Sequence, residues 1–139
     1  MDYQEPVAHM LSNDAFSRWL GIELKEVNLG QVAVQMEVRP EMLNGFGIAH
    51  GSIYFALADS AMAFAANTHG RLAVVTDAHI QFAESVRAGD ILFAEAKETA
   101  RMNRKAFYDI SIYSLPAKEL VAKVQGGVYI TSRPIPPED

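Results

Sequence analysis

Cysteine is absent from the 139 residues. That excludes disulfides, thiolate zinc sites, iron–sulfur clusters and a Cys nucleophile together. Positive charge is also scarce. Twelve Lys and Arg stand against seventeen Asp and Glu, a net charge of −5, whereas a general nucleic-acid binder would carry a basic excess. No apolar run has the length of a membrane span. Met1 to Met10 carries Asp2 and Glu5 and lacks the apolar core of a secretory leader, so a soluble cytoplasmic protein is expected. There is no repeat period, and no Gly-x-Ser-x-Gly elbow of a serine hydrolase. What the chain has in quantity is apolar residues, half of the total. A disordered chain does not have that composition, and the length suits one domain. The expectation is a single domain over 1–133 and a loose tail over 134–139.

The pattern along the chain is helix, two strands, helix, then about four strands. Ser12 is positioned to cap a short helix whose apolar residues Ala15, Phe16, Trp19 and Leu20 stop at Gly21. A strand over Ile22 to Val27 turns through Asn28-Leu29-Gly30 into a second, where Val32, Val34, Met36 and Val38 alternate with mostly polar residues until Pro40. Alternation returns at Ala78, Ile80 and Phe82, then blurs over Ile91 to Glu98. It is regular again at Ala106, Tyr108, Ile110 and Ile112, and reads Leu120, Ala122, Val124, Val128 and Ile130 at the end. Connections this short cannot make parallel crossovers, so the sheet is expected to be antiparallel.

Between the two groups of strands lies Ile53 to Ala66, with one formal charge, Asp59. A helix apolar on all sides is surrounded by protein, so a curved sheet wrapped around it is the simplest packing. Asp59 is then costly, because desolvation disfavours its charge. Two readings stand: an Asp facing solvent or a hydroxyl through a gap, or a functional carboxylate at a cleft edge. Asn44-Gly45-Phe46-Gly47-Ile48-Ala49-His50-Gly51 leads into the helix N-terminus. It is either a flexible loop or a place where free N–H groups and the helix dipole meet developing negative charge. Asp59 follows His50 by nine residues, which places the two on opposite sides of the helix and about 13 Å apart along it. If both serve one site, the helix entrance comes from a second copy of the chain.

The Asn44-Gly45-x-Gly-x-x-His50-Gly51 loop followed by Leu57-Ala58-Asp59 resembles the signature of hotdog-fold acyl-CoA thioesterases, with most likeness to the phenylacetic-acid-degradation type. Leu20-Gly21-Ile22, Ile80-Gln81-Phe82 and Gly89-Asp90 extend the resemblance over nearly the whole chain. It implies an α+β hotdog fold, with Asp59 as nucleophile or general base and the Gly51 N–H of the partner protomer as oxyanion donor. It further implies that His50 shapes the loop, that Asn44 positions water or the thioester, and that Thr76 lies near the carboxylate. A carboxylate opposite an N–H donor is a minimal acyl-transfer site. The chain departs from the pattern at Ser52, where a second Gly is usual, and at Glu84-Ser85-Val86, where many relatives have Pro.

Coenzyme A carries phosphates, so a basic rim is expected. Arg87, Arg101, Arg104 and Lys105 are the candidates, each alternatively a solvated turn residue. Ser52 is a further candidate substrate contact. His9, His69 and His79 read as structural or exposed, with no metal-ligand spacing among them. No metal and no separate cofactor are expected, coenzyme A being part of the substrate. Acyl-CoA and a second copy of the chain are the expected partners, as a homodimer and by resemblance a homotetramer. Neither nucleic acid nor membrane is expected. A non-catalytic acyl-CoA-binding or regulatory hotdog protein is the alternative, and an acyl-thioester hydratase a weaker one.

Overall fold

Two short helices precede the first strand in the computed structural model, which describes residues 2–137. Helix α1 spans Gln4–Asn13 and α2 spans Ala15–Leu20. The sequence reading had only the second, started by Ser12. Val7, Met10 and Leu11 share one face of α1 and pack on the core, a three-residue stripe too short to stand out as a period. The cap of α2 is Asp14, whose Oδ1 accepts from the Ser17 N–H at 3.0 Å, while Ser12 donates its hydroxyl back to the His9 carbonyl within α1. Gly21, at φ 80°, ends α2 in the left-handed conformation that glycine adopts without a Cβ clash.

The strands are β1 Glu23–Asn28, β2 Gln31–Glu37, β3 Arg71–Phe82, β4 Ile91–Arg101, β5 Lys105–Leu115 and β6 Glu119–Pro134. A 3-10 turn at Pro40–Met42 follows β2, and α3 covers Gly51–Asn67. The strands form one antiparallel sheet in the order β1-β2-β4-β5-β6-β3. Helix α3 packs against β2 through β6. This is the antiparallel sheet around a central helix that the alternation and the apolar segment predicted.

Two strands differ from the expected phase, both through bulges. β3 begins at Arg71, seven residues before the regular alternation that starts at Ala78, because a bulge between Val75 and Asp77 breaks its period. In β6 Val121 is the extra residue where the pairing slips opposite Ile112 and Tyr113 of β5, and it takes the buried place while Leu120 is 40% exposed. The tail is held at its start: Pro134 pairs with Arg71, and the Ile135 N–H donates to the Gly70 carbonyl at 2.9 Å. Glu138 and Asp139 lie outside the described residues.

Small residues let the helix sit close to the sheet. Leu57, Ala58, Ala61, Met62, Phe64 and Ala65 are fully buried, and each large apolar side chain contributes about 1.5–3 kcal/mol on burial. Asn67, also fully buried, brackets the helix end to β3. Its Nδ2 donates to the Ala63 and Ala73 carbonyls, and its Oδ1 accepts from the Ala73 N–H. The expectation of protein on every side of α3 is corrected in one respect. Ser52, Phe55, Ala56, Asp59 and Ala63, spaced at helical intervals, are not buried and form one open stripe. No helix among the described residues is long and apolar enough to cross a membrane.

Gly126 marks the tightest approach. A Cβ there would lie 2.7 Å from the Asp77 carbonyl oxygen and 2.7 Å from Met62 Cε. Gly126→Ala is therefore expected to destabilise the fold by about 1–3 kcal/mol, the range for overpacking. Gly45→Ala, where a Cβ would meet nothing within 4 Å, should stay within about 0.5 kcal/mol of wild type. Urea unfolding of the two variants checks the contrast.

Candidate active site

The loop before α3 is built by its own side chains. Asn44 Oδ1 accepts from the Phe46 N–H at 2.9 Å and from the Ile48 N–H at 3.4 Å, and the Asn44 N–H donates to the Ile48 carbonyl. The side-chain oxygen of Asn44 thus shapes the loop, and its amide nitrogen is the atom left for a ligand. His50 caps the helix: Nδ1 accepts from the Ser52 N–H at 3.2 Å and lies 2.7 Å from Ser52 Oγ. The Ser52 hydroxyl is part of this cap. The Ile53 N–H donates to the His50 carbonyl. Ser52 and Ile53 N–H groups are thereby used, and Gly51 supplies the remaining donor at the helix entrance, where the dipole favours negative charge.

Asp59 occupies the open stripe two turns further on. Both influences on its carboxyl raise its pKa above the ordinary carboxylate range: desolvation first, then the neighbouring Asp14 carboxylate. Asp14 comes close because α2 docks on the next residue of α3, Ser17 Oγ lying 2.8 Å from Ser60 Oγ in a buried contact. A carboxylate with a raised pKa is a stronger base and nucleophile than a free one. Gly51 precedes Asp59 by eight residues, about 12 Å along the axis, so one chain does not join the two groups in a single site.

Beside Gly51 lies a cavity of about 480 Å³, walled by Asn44, Ile48, Tyr54, Phe82 and the chain after β3. That volume suits a small-molecule site. Alignment of residue types along the sequence gave the Gly51 end of this cavity, but not Tyr54, which reads there as one more apolar helix position.

The other candidates fall elsewhere. Thr76 is exposed on β3, with its Oγ1 near Asp77 Oδ1 (3.1 Å) and the Gly127 carbonyl (3.2 Å), and makes no hydrogen bond to Asp59. Arg101 turns into a half-buried cluster, 3.6 Å from Glu98, which also accepts from the Tyr108 hydroxyl and faces His69 Nε2 at 3.0 Å. Burial and Arg101 lower the His69 pKa, outweighing Glu98. Arg104 donates to the Ile130 carbonyl and to Ser132 Oγ. Arg87 and Lys105 remain exposed. Because Glu98 meets His69 just beyond the C-terminus of α3, the β4–β5 hairpin lies at the opposite end of the helix from Gly51. His9 is half-buried and His79 exposed. Among the described residues no cluster of three or more His, Cys, Asp or Glu is placed to hold a metal ion.

The fold is the hotdog fold, and the protein is a thioester hydrolase built on it. The thioesterase superfamily model matches residues 46–121, more than half of the chain, and the chain belongs to this family. It is 38% identical to the acyl-coenzyme A thioesterase PaaI of Escherichia coli over 109 residues, 78% of each chain. The structure of the E. coli PaaI protein superimposes with a TM-score of 0.93 at 33% identity, covering 96% of both chains. A putative esterase of Archaeoglobus fulgidus is 36% identical over 129 residues, 93% of this chain and 83% of that one. A Streptococcus mutans protein solved bound to acetyl-CoA is 25% identical, with a TM-score of 0.76 over 79% of this chain and 88% of that one.

The strained ionisation of Asp59 has a consequence for stability. Its folded pKa lies above the unfolded value, so the charged form costs stability. That cost is absent below the unfolded pKa and fully present above the folded one. Asp59→Asn is expected to raise the thermal midpoint at pH 7 and to lose this advantage near pH 3, in melts of both proteins at the two pH values. An equal or lower midpoint at pH 7 contradicts it.

Proposed function

We propose that the protein hydrolyses an acyl-CoA thioester to a carboxylic acid and free coenzyme A, at a site completed by two protomers. One observation carries the reading. A carboxylate held above its ordinary pKa and an unused N–H at a helix entrance lie open on the same helix, about 12 Å apart along it, which is too far to act together within one chain. A two-fold axis beside α3 would set two such helices antiparallel and bring each Asp59 opposite the partner's entrance. The open stripe around Asp59 and the unpaired edge of β3, where Val74 and Phe82 are 48% and 56% exposed, are the surfaces such pairing would cover. A dimer is the minimal unit; the homotetramer expected from the family resemblance doubles it.

In this arrangement the thioester carbonyl points at the partner's Gly51 N–H, which stabilises the oxyanion together with the helix dipole. Asp59 either attacks the carbonyl carbon, giving a mixed anhydride that water then cleaves, or takes a proton from the attacking water. In both routes coenzyme A leaves as the thiol. The Asn44 amide donates to water or substrate. Coenzyme A enters as substrate, and no separate cofactor takes part. Of the four candidate cations, Arg87 and Lys105 are exposed and free for its phosphates, Lys105 reaching the partner's entrance in the antiparallel pairing, while Arg101 and Arg104 are engaged within the fold. The relatives support the substrate class: the E. coli protein is named an acyl-coenzyme A thioesterase, and the S. mutans structure holds acetyl-CoA.

Thiol release from a panel of acyl-CoAs tests the proposal. Asp59→Asn is expected to lower kcat by about 10²–10⁴, the range for loss of a catalytic base or nucleophile. The wild-type rate should fall on acidification with a midpoint above about 3.9, the free Asp value. Equal rates for variant and wild type on every active substrate would remove Asp59 from the chemistry.

A further inference from the structure

We propose that Tyr54 is a positioning residue that sets the size of the acyl pocket, by tying the chain after β3 to α3 and so holding the Phe82 ring against Gly51. The inference rests on the thioesterase reading above and names the part of the site that would measure the acyl group.

Tyr54 stands one turn after Gly51 and is 3% exposed. Its hydroxyl donates to the Glu84 carbonyl at 3.0 Å, a bond across thirty residues of sequence. The Phe82 ring meets the Tyr54 ring edge-on, with centroids 5.5 Å apart at 77°. Phe82 in turn covers Gly51 so closely that a Cβ there would lie 3.1 Å from its Cζ. These contacts make one continuous wall of the 480 Å³ cavity, beginning at the oxyanion donor.

The Phe82 backbone is held in the β3–β6 ladder opposite Ala122, but its ring has little else to fix it. Phe82 is 56% exposed, so burial does not fix its ring. Behind it, the Ala83 and Glu84 N–H groups share a single acceptor, the Val121 carbonyl, at 2.8 and 3.1 Å. The Val86 carbonyl then accepts from the Ala49 N–H. Between these two anchors the Tyr54 hydroxyl is the attachment to α3. A phenylalanine would fill the same buried volume. The hydroxyl adds only the tether, and a buried hydroxyl is retained only with a partner. This segment, Glu84-Ser85-Val86, is also where the chain departs from the proline of its family pattern. Without the tether the Phe82 wall can swing outward, the pocket lengthens and discrimination against larger acyl groups falls.

The test is kcat/KM for a straight-chain series from acetyl-CoA to decanoyl-CoA, measured on wild type, Tyr54→Phe, Phe82→Ala and the double variant, with thermal midpoints recorded for each. Pocket contacts discriminate by about 10–200-fold per methylene at most. Phe82→Ala is expected to raise the decanoyl-to-acetyl ratio about tenfold, and Tyr54→Phe about threefold in the same direction. The double variant should match Phe82→Ala alone, because Tyr54 acts through that ring and the effects do not add. A Tyr54→Phe ratio equal to wild type overturns the assignment, including the case where the midpoint and all rates fall together. A double variant showing the product of the two single effects overturns it as well. An active wild type with unmoved ratios defeats only this inference, whereas a wild type inactive on this series and on short, long and aromatic acyl-CoAs alike defeats the thioesterase reading and the inference with it.

Discussion

Asp59 is held where its charge is disfavoured, on a helix whose other residues are almost all apolar, and no cation among the described residues relieves it. Desolvation and the Asp14 carboxylate both act against ionisation. The surrounding construction keeps that state in place. Asp14 is fixed as the cap of α2, Ser17 pins α2 to Ser60, and the small residues of α3 allow the sheet to close on the helix. Neutralising the carboxylate would stabilise the fold and remove the reactivity, a balance common at catalytic centres.

The helix entrance is organised on the opposite principle: its polar groups are satisfied one by one until a single donor remains. Asn44 closes the loop, His50 takes the Ser52 N–H, and the His50 carbonyl takes the Ile53 N–H. Gly51 is left facing the cavity. Its lack of a side chain has a packing reason as well, since a Cβ there would lie only 3.1 Å from Phe82 Cζ. The proposed oxyanion donor and the pocket wall are thus parts of one contact.

Much of this was legible from residue order. The period-two strands, the wholly apolar helix and its one carboxylate define the sheet-around-helix architecture. The loop spacing separates Gly51 from Asp59 by helical geometry alone. What stayed hidden is where local pattern and tertiary contact diverge. Helix α1 has too short an apolar stripe to announce itself. Bulges in β3 and at the β5–β6 pairing shift the alternation by a residue, so Leu120 reads as core and Val121 does not. Phe16 and Trp19 look like core residues of α2. They are 57% and 60% exposed, stacked on each other at 6.1 Å with Arg39 over the indole. Arg101 and Arg104 look like a basic rim, yet Arg104 is hydrogen-bonded within the fold and Arg101 turns inward to pair with Glu98 at 3.6 Å. Tyr54 could not be found from sequence at all, because its partner is a backbone carbonyl thirty residues away.

The central claim is that each site takes its carboxylate from one chain and its oxyanion donor from another. Co-expression of two inactive subunits, Asp59→Asn and Gly51→Pro, tests it most directly. The proline removes the N–H at the first helical position, where its backbone is tolerated, and its Cβ would meet only the tip of the exposed Phe82 ring, at 3.1 Å. In random two-fold pairing half of the dimers are mixed, and each mixed dimer holds one intact site. The account predicts recovery of about one quarter of wild-type thiol release, from two parents that are each inactive. Activity no higher than that of the parents, in a sample shown to contain mixed dimers, would contradict it.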